Sequence, residues 1–280
     1  MADGGDGGAE GGVAIDMTPP ATMPVDLAVP QARSLDRSGA LPPVLRYLAT
    51  PIALALACLA LFLWIGSLEL DSIEKRRINW DFISNALWEH VKLTGLSTAL
   101  VIGIAVSLGI LITREGTRAL TPPVLAVTNI GQAIPSIGLL VLLGITLGIG
   151  FKYAVISLVA YSVLPVLRNT MVGLQQVDRS LIEAGRGMGM TKASVLWRIE
   201  LPLAVPVILA GIRTALIINV GTATLATFTG AGGLGDLINN GLRLGRDNVI
   251  LAGAILTALL ALTIDWIASV AEDILRPRGL

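Results

Sequence analysis

The chain has 280 residues, of which 54% are hydrophobic and only 14% are charged. Ordinary soluble domains carry about 25% charged residues, so this composition indicates an integral membrane protein with several helices. The 20 basic residues equal the 20 acidic ones, which gives no basic excess for a nucleic-acid partner. One cysteine and one histidine exclude an internal disulfide and most zinc sites, and we expect no metal in this chain.

The first segment, residues 1–43, differs in composition from the rest of the chain. It is rich in glycine, alanine and proline, and it shows no sustained apolar period. It lacks the basic start and early apolar stretch of a signal peptide. Because it cannot bury enough surface to offset the entropy of ordering, we expect a disordered cytoplasmic tail, followed by a transmembrane domain over 44–280.

Six apolar segments can cross a bilayer, which requires about 20 residues per helix. They lie at 47–66, 92–112, 122–149, 152–167, 203–228 and 249–271, and the fourth is short. Pro135 should bend or interrupt the third segment. Since unpaired backbone groups are costly in lipid, we expect an all-α polytopic membrane protein with about six transmembrane helices.

The basic residues set the expected orientation. A cytoplasmic N-terminus places more lysines and arginines in inner segments than in outer ones, as the positive-inside rule requires. Both termini would then be cytoplasmic. The outer loop 67–91 has apolar residues at a spacing that suits an amphipathic helix lying on the outer surface. His90 ends this loop, and we interpret it as structural rather than catalytic.

The inner loop 168–202 is the longest polar stretch of the membrane domain. Asp178 or Ser180 is suited to cap a first short helix, which glycines end, and Thr191 is suited to cap a second. Pro202 would begin the next span. We therefore expect a helix–turn–helix that projects into the cytoplasm and enters a groove on a partner. The apolar side chains available for such a contact are Leu181, Ile182, Met188 and Met190.

Within this loop, Glu183-Ala184-Gly185 is followed after three residues by Gly189, and after nine more by Ile199-x-Leu201-Pro202. This spacing resembles the EAA loop of ABC-importer permeases. Gly185 replaces the second alanine of the family, a change that costs a helix about 1 kcal/mol. In that family the loop forms the coupling helix that docks on the ATPase. The resemblance implies a coupling site of Glu183, Ala184, Gly185, Met188, Gly189, Ile199, Leu201 and Pro202, within a coupling loop over 168–202.

Other stretches resemble the osmoprotectant branch of these permeases, which imports glycine betaine, carnitine and choline. They include NIGQAIPSIGLL (129–140), LPVLRNT (164–170) and NVGTATLATFTGAGGLGDLI (219–238). The resemblance implies a permease subunit, not an enzyme, that translocates a compatible solute across the cytoplasmic membrane of a prokaryote. Methionine-importer permeases share GAGGLGDL, so a methionine-type or other small-solute importer is the first alternative. An ion-coupled secondary transporter and a scaffold without transport activity are further alternatives.

The resemblance also implies the partners. A type I importer core would pair with a second permease subunit, identical or related, and with two cytoplasmic ATPase subunits. The chain has no G-x-x-x-x-G-K-[ST] motif, so ATP and Mg would bind the partner ATPase and not this chain. Aromatic residues make up only 4% of the chain, and no cluster suggests an aromatic cage for quaternary ammonium groups. Selection is therefore expected on a separate extracytoplasmic binding protein.

Polar residues inside the predicted spans are costly in lipid and usually face protein or water. Those in the third and fifth spans are candidates for the translocation path, with helix–helix contacts as the alternative. Arg213 and Asp265 are expected to pair, unless Arg213 reaches the inner interface instead. The path candidates are Asn129, Gln132, Pro135, Ser136, Asn219, Thr222 and Thr229.

A glycine-rich segment follows the fifth span. It formally satisfies G-x-G-x-x-G, but a dinucleotide site needs that motif between a strand and a helix. We interpret it instead as a close-packed turn or an outer gate. The glycines concerned are Gly230, Gly232, Gly233 and Gly235.

Overall fold

A computed structural model of the chain describes residues 43–275, with side chains described from residue 47 onward. The predicted tail lies outside these residues, apart from Pro43, where the first helix begins, and it stays a prediction. All regular structure in the described part is helical, so the all-α class is confirmed. The α-helices are α1 (Pro43–Ser67), α2 (Ser72–Arg77), α3 (Trp80–Thr113), α4 (Thr121–Ala133), α5 (Ser136–Leu147), α6 (Phe151–Gln175), α7 (Arg179–Gly187), α8 (Lys192–Val195), α9 (Leu201–Ala223), α10 (Gly235–Leu244) and α11 (Asp247–Leu275).

Five helices of the described part are long and apolar enough to cross a membrane, and one bent pair brings the number to six. The prediction of about six spans is therefore confirmed. Short 3₁₀ turns over Arg118–Leu120 and Thr224–Thr229 and a π-helical turn over Leu196–Glu200 extend the α-helices that follow or precede them. The five single-helix spans are Tyr47–Ser67, Trp80–Thr113, Phe151–Gln175, Lys192–Thr229 and Asp247–Leu275.

The expected third span is not one straight helix. It forms α4 and α5, whose axes differ by 101° across a short break. Pro135 has no N–H to donate, and Ile134 before it adopts an extended conformation (φ −75°, ψ 132°), as residues before proline prefer. The prediction that Pro135 interrupts this segment is confirmed.

The predicted boundary between the fourth span and the coupling loop was wrong. The fourth span is not short, because α6 is 25 residues long. It continues through residues 168–175, which the sequence analysis assigned to the coupling loop. Thr170 shows why: its side chain is fully buried and lies against Gly109 of α3. Packing against a neighbouring helix therefore keeps a locally polar stretch helical.

No separate amphipathic helix lies over 67–91 in the described structure. The segment forms the short α2 and the first turns of α3, which is one helix of 34 residues. Asn79 starts α3, since its side-chain oxygen accepts a hydrogen bond from the Phe82 amide at 2.9 Å. The apolar residues from Trp80 onward, such as Phe82, Ile83 and Leu87, therefore belong to a membrane-crossing helix.

The centre of the structure is formed by α3, α6 and α9. Glycines let these helices approach closely, as small residues do in membrane proteins. A Cβ atom on Gly109 would lie 2.7 Å from the Thr170 methyl group, and one on Gly211 would lie 2.6 Å from Cβ of Asn169. The buried core between the three helices includes Val101, Ala105, Val166, Leu167 and Ala215.

Candidate functional site

The coupling loop forms the expected helix–turn–helix, made of α7 and α8. Asp178 caps α7 by accepting a hydrogen bond from the Ser180 amide at 2.9 Å, and Thr191 caps α8 by accepting one from the Ser194 amide at 3.2 Å. Both predicted caps are confirmed, with Asp178 rather than Ser180 at the first position. The second helix is not followed by a break, because α8 continues through the π-helical turn into α9.

Gly189 makes the turn between α7 and α8. Its φ is +84°, in the left-handed region, and no atom lies within 4 Å of where its Cβ would be. The turn closes when the Met190 amide donates to the Gly185 carbonyl at 3.1 Å. Since only glycine adopts this conformation without a steric cost, backbone geometry explains why glycine stands here.

Gly185 is buried between α7 and the segment that follows α8. A Cβ atom there would lie 2.7 Å from Cδ1 of Ile199 and 3.5 Å from Cγ2 of Val195. The side chain of Ile199 therefore takes the space that a methyl group would need. This packing gives a physical reason for glycine in place of alanine.

An apolar groove lies on the surface of the helix–turn–helix. Met188, which lines this groove, is 76% exposed although it is large and apolar. The helix–turn–helix brings five of the eight predicted coupling residues into this groove; Gly189 lies in the turn, Glu183 is exposed on α7, and Leu201 is half-buried at the start of α9. The groove is lined by Leu181, Ala184, Gly185, Met188, Arg198, Ile199, Pro202 and Leu203.

Substitutions of Asp178 test its role as the cap of α7. The hydrogen bond from the Ser180 amide, followed by one from its hydroxyl, holds the pKa of Asp178 below its usual range. A lowered pKa means that the cap contributes above the unfolded pKa, about 3.9, and is lost only as pH falls through the folded value. We expect Asp178→Ala to speed amide hydrogen exchange in α7 at neutral pH, and Asp178→Asn, which keeps an acceptor oxygen but not the charge, to speed it less. Equal exchange in both variants would contradict the cap.

The Gly-rich turn, residues 230–234, is held by the first turns of α3. The Gly233 amide donates to Glu89 Oε2 at 3.2 Å, and the Leu234 amide donates to His90 Nδ1 at 3.3 Å. His90 Nε2 in turn donates to the Val220 carbonyl at 3.0 Å. His90 is fully buried, and its two bonds fix the neutral tautomer with hydrogen on Nε2. His90 is therefore a structural clamp, as the sequence suggested.

The surroundings of the Gly-rich turn argue against a dinucleotide site. The turn follows a 3₁₀ helix rather than a strand, and it leads into α10. Gly230, Gly232 and Gly233 have φ values of +66°, +77° and +105°, which make it a tight, left-handed turn. The fourth predicted residue, Gly235, opens α10 and lies against the backbone of Thr224.

The predicted path residues fall into two groups. On α4, Asn129 and Gln132 are half-buried, and Asn129 accepts a hydrogen bond from Arg168 at 2.7 Å. Pro135 is exposed at the bend and Ser136 is half-buried. In contrast, Asn219, Thr222 and Thr229 are buried within the chain.

Asn219 shows what the buried group does here. Its Nδ2 donates to Thr98 Oγ1 of α3 at 3.0 Å, so it makes a helix–helix contact. Asn219 is therefore one example of the alternative interpretation, in which these polar residues make contacts between helices. A role in the translocation path stays a prediction for all seven.

Arg213 and Asp265 form the expected ion pair between α9 and α11. Arg213 Nε donates to Asp265 Oδ1 at 2.6 Å, and Nη2 donates to Oδ2 at 2.9 Å. Glu272 lies further away, 3.7 Å from Nη1. The two-pronged geometry holds the guanidinium on α11, which confirms the pairing hypothesis.

Loss of the Arg213–Asp265 pair should lower stability only modestly, and exchanging the two charges should restore part of it. Both side chains are about one third exposed, so Asp265→Asn is expected to cost about 1 kcal/mol. The melting temperature of the detergent-solubilised protein measures this loss. The exchanged variant Arg213→Asp with Asp265→Arg should recover more stability than Asp265→Arg alone. No recovery would argue that the pair is incidental.

The sequence missed several residues that the structure places at these sites. Arg114 forms a two-pronged ion pair with Glu200, at the end of the π-helical turn. Glu89 had no local signal, because its partner Gly233 is 144 residues away. For Glu200 there was a weak signal, a lone acid directly before an apolar span.

Comparisons of the sequence with known proteins identify its family and its relatives. Residues 105–278 match the model of the family described as binding-protein-dependent transport system inner membrane component. The chain is 44% identical over 193 residues to the choline transport system permease protein OpuBB of Bacillus subtilis, covering 69% of this chain and 88% of that one. It is 38% identical over 216 residues to the osmoprotectant import permease protein OsmW of Salmonella typhimurium, covering 75% and 100%.

Solved structures give the same result for the fold. An inward-facing structure of the MetNI methionine ABC transporter aligns with a TM-score of 0.61 at 26% identity, covering 70% of this chain and 96% of that one. An amino acid ABC transporter aligns with a TM-score of 0.62 at 18% identity, covering 74% and 100%. Together with the family match, they confirm the permease fold. The chain belongs to the family of binding-protein-dependent transport system inner membrane components.

Proposed function

We propose that this chain is the membrane-spanning subunit of an ABC importer that carries a compatible solute, such as glycine betaine, choline or carnitine, into a prokaryotic cell. The carrying observation is the coupling loop, which presents an exposed apolar groove between α7 and the start of α9. Relatives named for choline and carnitine transport support the solute class. Family membership favours an importer over an ion-coupled transporter or a scaffold.

The groove is suited to receive an ATPase subunit. Its exposed residues include Leu181 and Met188, and an adaptable methionine surface fits a contact that must persist while the partner moves. Two ATPase subunits carrying ATP and Mg would dock on the coupling loops of two permease subunits. The coupling loop would then be cytoplasmic, as would both termini, and the Gly-rich turn would lie toward the extracytoplasmic binding protein.

The translocation path is proposed along the bent pair α4–α5. The half-buried Asn129, Gln132 and Ser136 are polar groups at the surface of this pair, where a second permease subunit would complete a polar cavity. The Gly-rich turn is proposed as the outer gate. Closure of the ATPase would switch the cavity between inward-facing and outward-facing states.

Co-purification with the cognate ATPase tests the docking proposal. Wild type should retain the ATPase and stimulate its ATP hydrolysis in lipid, and Gly189→Arg should lose both. Gly245→Arg is the matched control, because Gly245 also has a left-handed φ (+61°) and no atom lies within 4 Å of where its Cβ would be. No association in wild type, or equal loss in the control, would refute docking through the coupling loop.

Uptake into proteoliposomes tests the solute. Labelled glycine betaine, choline, carnitine and methionine should be compared in the complete complex with its binding protein. We expect uptake of one or more quaternary ammonium solutes and none of methionine. Uptake of methionine alone would favour the methionine-type alternative, which the similarity to the MetNI structure also raises.

A further inference from the structure

We propose that the core between α3, α6 and α9 contains a buried water site, built from Thr94, Ser97 and Asn219. Each of these residues is at most 1% exposed, and each carries a side-chain oxygen with no hydrogen-bond partner among the described residues. The site lies within one chain and involves neither the ATPase nor the solute. It therefore goes beyond the proposed function and can be tested separately from it.

Two apolar layers of the core enclose a polar one. Each apolar layer has one residue from each of α3, α6 and α9. They are Leu93, Leu158 and Ala223 in the first layer, and Val101, Val166 and Ala215 in the second. In every helix the two residues are eight positions apart, so the residue midway between them lies on the same face. The midway residues, Ser97, Ser162 and Asn219, form the polar layer, and all three are completely buried.

Thr94 lies beside the polar layer, on the face of α3 that contacts α9. It is four residues from His90 and four from Thr98, so it shares a helix face with both. His90 Nε2 donates to the Val220 carbonyl at 3.0 Å. Asn219 Nδ2 donates to Thr98 Oγ1, also at 3.0 Å. Because one of these bonds lies on each side of Thr94, its hydroxyl is placed close to Asn219.

The hydroxyls of Thr94 and Ser97 differ from other buried hydroxyls of the core. In α6, the hydroxyls of Ser157, Ser162 and Thr170 donate to the carbonyl four residues earlier, at 2.9, 2.6 and 2.8 Å. A helical serine or threonine that bonds in this way needs no partner outside its own helix. Thr94 and Ser97 make no such bond among the described residues. Their hydroxyls are therefore available to a partner that lies between the helices.

Asn219 uses only one end of its side-chain amide. Nδ2 bonds to Thr98, whereas Oδ1, an acceptor, has no partner among the described residues. Exchanging the two ends of the amide gives the same result, since one end binds Thr98 and the other is left over. Leaving a buried polar atom unpaired is costly, and most such atoms in folded proteins bond to protein or to ordered water.

The chemistry of the site favours water as the ligand. Two hydroxyls that donate or accept and one amide oxygen that accepts match the roughly three hydrogen bonds of a typical buried water. None of these side chains is charged, so a cation would lie in the core without a counter-charge. Ser97 and Ser162 also fill less volume than the leucines and valines of the apolar layers, and this gives a water molecule room. A water bound here joins α3 to α9.

A structure of the wild-type protein in lipid, at a resolution that shows ordered water, tests the site directly. We expect a density peak within about 2.7–3.2 Å of both Ser97 Oγ and Asn219 Oδ1. The same map of Ser97→Ala should show this peak weakened or lost. The measurement on wild type does not depend on whether any variant folds.

Melting temperatures of the detergent-solubilised variants test the same site in solution. If water is bound, Ser97→Ala and Thr94→Val each remove one of its hydrogen bonds, and each should lower the melting temperature by about 2–4 °C. The double variant should lose less than the sum, because both residues act through the same water. If the layer is dry, each change removes an unpaired hydroxyl, and the melting temperature should stay the same or rise.

The matched controls are Ser157→Ala and Thr170→Val. They make the same chemical changes at buried hydroxyls that bond within their own helix. Because each carbonyl concerned keeps its backbone amide partner, these variants should melt close to wild type.

Three results would overturn the water site. The first is a wild-type map that resolves water elsewhere in the core but shows no peak between Ser97 and Asn219. The second is a melting temperature of the site variants that is no lower than that of the controls. The third is a melting temperature that rises in sodium relative to potassium only while Ser97 is present, which would assign the site to a cation.

Discussion

Replacing Gly235 by alanine is expected to lower stability by about 3 kcal/mol and to abolish uptake. A Cβ atom at Gly235 would overlap the Thr224 carbonyl group, lying 2.7 Å from its carbon and 3.0 Å from Cα. These are backbone atoms of the 3₁₀ helix before the Gly-rich turn, so no change of rotamer relieves the clash. Either α10 or the 3₁₀ helix must shift, and the turn between them shifts with it.

The matched control is Gly221→Ala. Gly221 is exposed on α9, with no atom within 4 Å of its Cβ position. Alanine is favoured over glycine inside a helix by about 1 kcal/mol, so this variant should be neutral or slightly more stable. The melting temperature of each detergent-solubilised protein and its uptake in proteoliposomes give the comparison. Similar melting temperatures for the two variants would show that the close approach at Gly235 is absent.

Local signals predicted much of the fold. Runs of apolar residues located the spans, Pro135 marked the break between α4 and α5, and Asp178 and Thr191 marked the starts of α7 and α8. Each of these signals acts within a few residues, through hydropathy, a missing amide hydrogen or a side-chain cap. The 101° angle at Pro135 does not follow from them, because the directions of α4 and α5 depend on how each helix packs.

The errors in boundaries came from packing between distant segments. Residues 168–175 looked polar enough for a loop, but Thr170 satisfies its hydroxyl by donating to the Val166 carbonyl and buries its methyl group against Gly109. A polar residue that bonds to its own helix is compatible with a membrane core. The sequence alone did not show which neighbour would cover it.

The residues of the candidate site also fall into two groups, those that local sequence signals predict and those that depend on packing between distant segments. The coupling residues follow a fixed spacing within 20 residues, so the sequence alone predicted their helix–turn–helix. The ion pair of Arg114 with Glu200 spans 86 residues, and the bond from Leu234 to His90 spans 144. Contacts of this kind depend on how α3 and α9 align, which hydropathy does not specify.

Replacing His90 by leucine is expected to lower the free energy of unfolding by about 2 kcal/mol. We also expect it to reduce the transport rate by more than the loss of folded protein explains. Leucine matches the apolar volume but leaves the Leu234 amide without its acceptor and the Val220 carbonyl without its donor, both in a buried position. Leaving a buried polar group unpaired costs about 1–3 kcal/mol. His90→Gln, which supplies one donor and one acceptor, should recover part of the loss.

Hydrogen exchange distinguishes this variant from Gly235→Ala. Loss of the clamp should speed exchange at the Leu234 amide while α10 stays protected, since the backbone of α10 is not displaced. Gly235→Ala should instead loosen α10 and the 3₁₀ helix together. If His90→Leu left the exchange of Leu234 unchanged, then α3 would not hold the Gly-rich turn, and the turn would have to be positioned by its own glycines and by α9 alone.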